Sequence, residues 1–568
     1  MKLIHQKLHI LKIKENFLSR IRVIVLVHFM ALSKTAIVVI AVVVVIIVAG
    51  SIAGYELTRP TTTTQNIVLY TWWATTGKVA LNHLIPAFEK ANPGYTVTEE
   101  VSPGGGGDNS LIAVMSLISA GKPPDAFQTH YGPWTYSYVS VDPQGVNGFY
   151  NWTSYYEDTL AGHVVPSAFE AGAMNGVLLS MPVEVHTMGL LYINKNVLQH
   201  YNLPIPTNEM QLLNETKQLV KDGFYNSTEA PWGISANEGG WAQLQLWENN
   251  FLALAGPKLY NEFTYGTLNV SNPQVENIIN ETDQIFIAES QYDYPGWQSM
   301  SWTQMASELV DGHVAFLTAG DFVTNYMYDF MNTTSYPAVP PYINQSNVTV
   351  LVESFPGTSN YFVVNLDAIG VPTGPTESAG VKFVKYWTSY SGDKIWTQWK
   401  GISYWNNITT DYYNTPEQWY MYQKLISTPT QDFVYALSDG GLFASPYTTL
   451  TGALITLQSS GSSGIPSWNS QVKSEISVEE QSWLSANSEH LGYLGFPGAP
   501  FAGYLPPWAN STFNATGSGS KAVNFTHSND NGNPVSQQPV VHSSSIPVSN
   551  YPFKATVAYP SFTTGRKY

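Results

Sequence analysis

The side chains of this chain that could do chemistry are aromatic, amide, imidazole and carboxylate groups, most of them at the ends of predicted strands. They are Trp72, Trp73, Gln128, His130, Trp241 and Asp321. Tryptophan faces cover the C–H face of a pyranose ring, while the polar groups bond its hydroxyls. The set therefore predicts a sugar-binding site, although in a chain with 17 tryptophans any single ring could instead pack in a core.

The motifs of common catalytic sites are absent from the sequence. It has no Gly-x-Ser-x-Gly elbow and no phosphate loop ending in Gly-Lys-Ser/Thr, and beyond residue 57 no two histidines stand four residues apart. The lack of cysteine excludes disulfides, thiolate catalysis, zinc fingers and iron–sulfur ligation. We therefore predict no catalytic residue, no metal and no cofactor. Two carboxylates can meet from anywhere in a chain, so a glycoside hydrolase stays open as an alternative.

The elements that must position these groups alternate between strand and helix. Residues 66–70 form a short apolar strand, and 95–101 alternate as a second strand after an intervening helix. A helix over 109–120 leads to a third strand that begins at Asp125. This order predicts an α/β architecture with mostly parallel pairing, in which ligands bind at the carboxyl ends of the strands.

Several stretches of the chain resemble, in order and at suitable separations, the extracellular sugar-binding proteins of ABC transporters, which are family 1 solute-binding proteins. These stretches are Leu69-Tyr70-Thr71-Trp72-Trp73, 87–94, 121–128, 181–186, 191–195, 201–207, 319–321 and 400–402. The resemblance covers about residues 66–490. It is closest to the glucose-binding subgroup of archaeal and bacterial proteins, for which Phe127-Gln128-x-His130 is the most telling piece.

The resemblance implies a two-lobe type II periplasmic-binding-protein fold, in which two α/β lobes close on a ligand by hinge motion. The first lobe would comprise residues 66–185 and 319–370, and the second 186–318 and 371–490. Residues 491–568, rich in Pro, Gly, Ser and Asn, would form a C-terminal extension.

The resemblance also implies which side chains line the cleft. They are Trp72, Trp73, Gln128, His130 and Asp321 from the first lobe, with Trp241 and His186 facing them. Asp439 is also predicted as a binding residue, at a place where the subgroup often has a histidine. The chain also has Gly77-Lys78 where the subgroup often has Gly-Glu, and Thr373 near a frequent lysine. These departures bear on the identity of the bound sugar more than on the predicted function.

The first 57 residues have the pattern of a signal or transmembrane anchor. Residues 1–34 carry seven bases and one acid, and 36–49 are Ala, Val and Ile throughout. A helix over this run and its flanks spans about 30 Å of hydrocarbon, and the basic flank places the N-terminus in the cytoplasm. A Thr-rich linker over 58–65 then leads to an extracellular body. Cleavage near 49–53, cleavage at a pilin-like signal over 30–35, and a true start at Met30 stay open.

Charge is scarce in this chain, since only 12% of its residues are charged, and the formal net charge is −16. An acidic chain does not favour nucleic acid as a partner. Many Asn-x-Ser/Thr triplets predict a glycoprotein. Because ion pairs fail once carboxylates are protonated, the low charge also predicts adaptation to acidic surroundings.

These observations predict an extracellular receptor held in the cell membrane by one N-terminal transmembrane helix. It would bind glucose or a related monosaccharide and deliver it to the permease subunits of an ABC importer, meeting the cytoplasmic ATPase only indirectly. Beside an anchored glycoside hydrolase, the second alternative is a surface structural or pilus-like glycoprotein.

Overall fold

The computed structural model describes residues 64–104, 107–330 and 350–509. Its strands form two larger sheets, a short three-stranded sheet and a terminal hairpin. The strands are β1 (Gln65–Thr71), β2 (Tyr95–Val101), β3 (Ala126–His130), β4 (Ser180–Pro182), β5 (His186–Thr187), β6 (Leu190–Asn194), β7 (Ala230–Trp232), β8 (Val314–Thr318), β9 (Val350–Ser354), β10 (Phe362–Asn365), β11 (Asp367–Gly370), β12 (Phe433–Tyr435), β13 (Gly495–Phe496) and β14 (Ala499–Pro500).

Helices separate most of these strands. They are α1 (Thr76–Ala91), α2 (Asp108–Ser119), α3 (Pro133–Val139), α4 (Thr153–Tyr155), α5 (Pro166–Glu170), α6 (Lys195–His200), α7 (Glu209–Lys221), α8 (Trp241–Thr264), α9 (Pro273–Ser290), α10 (Trp302–Asp311), α11 (Phe322–Phe330), α12 (Glu377–Trp387), α13 (Tyr390–Thr397), α14 (Pro416–Ser427), α15 (Ala444–Ser460) and α16 (Ile465–Ser488).

The first sheet has the strand order β2-β1-β3-β11-β4. Strand β1 runs parallel to β2 and β3, whereas β11 is antiparallel to β3 and β4. Helix α1 buries an apolar face that includes Leu81, Leu84 and Phe88. The predicted strand–helix alternation and parallel pairing of this region are confirmed, because short apolar strands and an amphipathic helix leave few other ways to bury both surfaces.

The second sheet has the order β7-β8-β6-β9. Strands β7 and β8 are parallel, and β6 is antiparallel to β8 and β9. All residues of β6 and β8 are buried, as expected of central strands covered on both faces.

The short sheet, with the order β12-β10-β5, carries the chain between the two larger sheets. In the chain, β5 lies between β4 of the first sheet and β6 of the second, and β10 lies between β9 of the second and β11 of the first. A third segment joins them where Ile402 forms a β-bridge with Val185, just before β5. Two α/β units joined by short crossing segments are the architecture that the resemblance implied.

The contents of the two units differ in places from the predicted lobe boundaries. Strand β9, placed with the first lobe in 319–370, pairs along its whole length with β6 of the second sheet. Helices α12 and α13, placed with the second lobe in 371–490, pack on the first unit: the ring centroids of Phe383 and Phe88 are 4.9 Å apart, and those of Trp396 and Trp73 4.7 Å. Packing of apolar faces, rather than position in the chain, decides these memberships.

The ordered body continues past residue 490, where the C-terminal extension was predicted to begin. Leu494 and Phe501 are buried, and the backbone N–H of Leu494 donates to the hydroxyl of Tyr265 at 3.0 Å. Residues 491–509 therefore belong to the packed body.

The predicted signal or anchor segment, residues 1–57, and most of the linker over 58–65 lie outside the described residues. Within the described residues, no helix is both long enough and apolar enough to span a membrane.

Buried carboxyl groups without a cationic partner are a recurrent feature of the core. Among the described residues, Asp283, Glu289, Asp393 and Glu417 are buried, form no ion pair, and each leave one carboxyl oxygen without a hydrogen-bond partner. Burial raises the pKa of Asp283 and Asp393 to about 7 and that of Glu289 and Glu417 to about 8. The fold therefore favours the protonated form of each.

We expect the protein to be more stable near pH 4 than near pH 8. In the unfolded chain, carboxyl groups lose their protons near pH 4, whereas in the folded protein these four buried carboxyl groups keep theirs to about pH 7 or 8. The free energy of unfolding therefore falls as the pH rises from 4 to 8. Calorimetry should show a Tm lower by about 5 °C or more at the higher pH.

Glu289→Gln provides the matched variant for this prediction. A glutamine oxygen can still accept from Asn250 Nδ2, which donates to Glu289 Oε2 at 2.8 Å. The difference between the Tm of the variant and the Tm of the parent should increase as the pH rises, because the variant lacks one of the titrating groups. A parent Tm that is level or increases from pH 4 to pH 8 would contradict the prediction.

Candidate binding site

A cavity of about 160 Å³ lies at the carboxyl ends of β1 and β3. At roughly 15 Å³ for each water, it has room for about ten water molecules, which is space enough for a small ligand. Its main side chains are Trp72, Trp73, His130, His186, Glu238, Trp241, Trp302, Phe322, Asn365, Asp367, Lys400 and Asp439. The mixture of aromatic faces and polar groups is that of a small-molecule site.

Trp72 stands at the cavity because Gln128 holds its backbone. Gln128 is fully buried in β3, and its Oε1 accepts a hydrogen bond from the backbone N–H of Trp72 at 3.0 Å. The Trp72 ring centroid lies 5.0 Å from that of His130. Gln128 itself does not line the cavity, so its role is to position Trp72.

His130, at the end of β3, is held between two carboxylates. Its Nε2 lies 2.7 Å from Asp439 Oδ1, and its Nδ1 lies 3.4 Å from Asp367 Oδ1. Burial would lower the pKa of His130, but Asp439 and Asp367 raise it to about 10. The ring is therefore an imidazolium at neutral pH.

Asp439 reaches His130 through a close approach of the backbone at Gly440. A Cβ on Gly440 would lie 2.8 Å from the Cβ of His130, and its φ is +99°. A glycine is therefore needed at this position. The second carboxylate oxygen of Asp439 accepts from Asn365 Nδ2 at 2.8 Å, so Asp439 joins His130 and Asn365 at one edge of the cavity.

Lys400 forms the floor of the site. Its Nζ donates to Glu184 Oε1 at 2.7 Å and to Asp367 Oδ2 at 2.9 Å, and it lies 5.6 Å from the centroid of the Trp73 ring. Burial would lower the pKa of Lys400, but the two carboxylates raise it. Burial would raise the pKa of Asp367, but Lys400 and His130 hold it well below its usual range.

His186 lines the cavity, whereas Asp321 stands behind it. Asp321 Oδ1 lies 2.7 Å from His186 Nδ1 and accepts from the backbone N–H of Thr187 at 3.2 Å. Burial and Lys400 would lower the pKa of His186, but Asp321 and Glu184 raise it well above its usual range. Its Nε2 lies 3.1 Å from Glu184 Oε1 and 2.6 Å from Lys400 Nζ.

Three groups around Lys400 have the spacing of a cation site. Ligand atoms of Glu184, His186 and Asp367 all lie within 4.8 Å of one another. The ammonium of Lys400 is within hydrogen-bond distance of all three. An internal cation thus fills the place that a metal would take, and we assign no metal to it.

Six of the eight predicted site residues meet at the cavity. They are Trp72, Trp73, His130, His186, Trp241 and Asp439. Gln128 and Asp321 do not reach it and position Trp72 and His186 instead. Lys78 and Thr373, where the chain departs from the resembled subgroup, also lie away from the cavity: Lys78 pairs with Glu99, and Thr373 donates to the backbone of Asn147.

Sequence reasoning missed Asn365, Asp367, Lys400 and Glu238. Asn365 and Asp367 alternate within an otherwise apolar run, which is a pattern that places both side chains on one face of an extended segment. That signal was present in the sequence. Lys400 lay in a stretch that carried the resemblance but had no local feature to mark it as a site residue.

The fold and the cavity define a two-lobe binding protein. The profile of the bacterial extracellular solute-binding protein family matches residues 73–394. The chain belongs to this family, which binds solutes without transforming them, so it is a binding protein and not an enzyme. The family also agrees with the predicted extracellular body.

Two relatives illustrate the family relationship. The chain is 46% identical over 447 residues to the glucose-binding protein GlcS of Saccharolobus solfataricus, covering 78% of this chain and 79% of that protein. It is 24% identical over 302 residues to an uncharacterized ABC transporter extracellular-binding protein of Pyrococcus horikoshii, covering 51% of this chain and 65% of that one.

Solved structures share the fold. The bacterial solute receptor AcbH, described as having an exclusive preference for β-D-galactopyranose, has a TM-score of 0.60 at 13% identity and covers 73% of this chain and all of its own. A chitin oligosaccharide binding protein has a TM-score of 0.58 at 17% identity, over 74% of this chain and 99% of its own. The two-lobe α/β fold predicted for the body is therefore confirmed.

Asp439→Asn should lower the pKa of His130 by roughly one unit or more, because Asp439 is the strongest of the groups that raise it. An NMR titration of the ring in histidine-labelled protein measures the change. His313 is the internal control, since it is 45% exposed and faces Glu308 instead. A pKa of His130 that stays near 10 in the variant would show that the Asp439 contact does not control it.

Proposed function

We propose that this protein is an extracellular receptor that binds glucose or a related monosaccharide in the cavity and delivers it to the permease of an ABC importer. The observation that carries the proposal is the joining of aromatic walls, Trp72 and Trp241, to a polar edge built by His130, Asp439 and Asn365 in a cavity of about 160 Å³. Aromatic faces pack on the C–H face of a sugar, and the polar edge bonds its hydroxyls.

The polar edge supports a neutral sugar. The carboxylate of Asp439, which His130 holds in place, can accept from a sugar hydroxyl, and the amide of Asn365 can both donate and accept. Each of these groups already has a partner that fixes its direction. A preorganised edge loses little freedom when a ligand binds.

Sequence similarity supports glucose in particular. The relative from Saccharolobus solfataricus is named a glucose-binding protein and shares 46% identity over most of both chains. We extend its ligand class to this chain as part of the proposal.

Delivery to a permease and anchoring complete the proposal. The crossing segments of the short sheet suit a hinge, so that a bound ligand would stabilise a closed arrangement of the two units. The apolar run at 36–49 would hold the N-terminus in the membrane with the body outside. The lobes would follow the predicted division, with β9 assigned to the second unit and α12 and α13 to the first.

Isothermal titration of the full chain, purified in detergent, against a panel of hexoses tests this function. Glucose or a close epimer should bind saturably and should be recovered unchanged. Trp72→Ala should raise the Kd about tenfold or more, because the ring contributes apolar contact to the sugar.

Trp419→Ala is the matched control for Trp72→Ala. Trp419 is a half-buried ring that packs on Tyr422, 5.5 Å between centroids, and does not line the cavity. Its Kd should equal that of the parent. Equal affinity in both variants would place the binding site elsewhere, and consumption of the sugar would contradict a receptor.

A further inference from the structure

Glu238 and three aromatic rings line the cavity from the second unit, whereas His130 lines it from the end of β3 in the first. The rings are those of Trp241, Trp302 and Phe322, which begin α8, α10 and α11. Phe322 stands nearly perpendicular to both others, with centroid distances of 5.9 Å to Trp241 and 5.1 Å to Trp302. The three rings form a corner, and Glu238 is its polar group.

The position of Glu238 is fixed by its neighbours. Its Oε2 accepts from the backbone N–H of Trp302 at 3.3 Å, at the N-terminus of α10, where a negative charge is favourable. A β-bridge joins Asn237 to Gly239 on either side of it, and Asn237 N–H donates to the carbonyl of Met300 at 3.3 Å. The side chain therefore points into the cavity from a loop that is tied at several places.

Glu238 differs from the other carboxylates of the cavity in what it has left to bond. Asp367 is held by Lys400 and Trp73, and Asp439 by His130. Glu238 has one hydrogen bond, from Trp302, and no cationic partner among the described residues. Its Oε1 is thus the carboxylate oxygen of the cavity with the most unused capacity to accept.

The chemistry of that oxygen selects its ligand group. Burial raises the pKa of Glu238, because a carboxylate among aromatic rings and partly removed from water costs free energy unless donors reach it. Sugar hydroxyls are such donors, and their bonds to an ionised acceptor are stronger than those between neutral groups. A sugar that lacks the matching hydroxyl would leave the carboxylate unsatisfied, which costs more than the bond itself contributes.

We infer that Glu238 is a specificity-determining residue of this site, whose free carboxylate oxygen accepts a hydroxyl of the bound hexose from the wall that the second unit forms. This inference rests on the proposed function and adds to it a second polar contact surface. It places hydrogen-bonding groups for sugar hydroxyls on both walls, so that a bound sugar is recognised from two sides.

Titration of the full chain with glucose and with its set of mono-deoxy derivatives tests the inference. Glu238 should bond one hydroxyl of the sugar, or two adjacent ones. In the parent, the deoxy sugar that lacks such a hydroxyl should bind about tenfold or more weakly than the other deoxy sugars do. Glu238→Ala should weaken glucose binding by a similar factor, and in this variant the matching deoxy sugar should bind as well as glucose does. Glu238→Gln, whose amide oxygen can still accept a hydrogen bond, should weaken glucose binding by a smaller factor.

Glu353→Gln is the matched control, because Glu353 is also half-buried, lies in β9 and does not line the cavity. It should leave every Kd unchanged. If the parent binds a hexose but the Glu238 variants keep its Kd and its pattern of deoxy sugars, the inference is overturned and the proposed function stands. If the parent binds no hexose, the proposed function fails and the inference falls with it.

Discussion

One buried ammonium group, that of Lys400, ties together the three segments that pass between the two α/β units. Lys400 lies next to the bridge at Ile402, Glu184 lies in the segment between β4 and β5, and Asp367 begins β11 directly after the crossing. The Nε2 atom of His186 also lies within hydrogen-bond distance of this ammonium. Either carboxylate would be strongly destabilising in this interior without the lysine, and the lysine without them, because a buried charge that loses its partner has no water to replace it.

The binding edge is built outward from this cluster. Asp367 bonds Lys400 with the same oxygen that accepts from Trp73 Nε1 at 3.1 Å, and its other oxygen faces His130. His130 then orients Asp439, whose second oxygen holds Asn365. The groups that would meet a ligand are therefore the outer members of one connected network. The orientation of these outer groups is therefore set by the charged residues beneath the cavity and not by the cavity wall alone.

Much of this arrangement could be predicted because parallel strands bring their carboxyl ends to one edge, and Trp72 and His130 lie at such ends. The sequence does not predict how far each of these side chains lies from the cavity. Gln128 and His130 share a face of β3, but two residues are about 7 Å of strand, which is enough to put Gln128 beneath the backbone of Trp72. The pairing of Lys400 with Glu184 joins residues that are 216 apart, and no local pattern in the chain carries that information.

The buried carboxyls of the core make folding a proton-binding reaction. An unfolded chain at neutral pH has released the protons of Asp283, Glu289, Asp393 and Glu417, whereas the folded chain holds most of them because burial raises these pKa values to about 7 or 8. Each folding event must then take protons from the surrounding buffer. The enthalpy measured for folding will include the heat that the buffer absorbs or releases as it gives them up. Two buffers at the same pH will consequently report different folding enthalpies for the same fold.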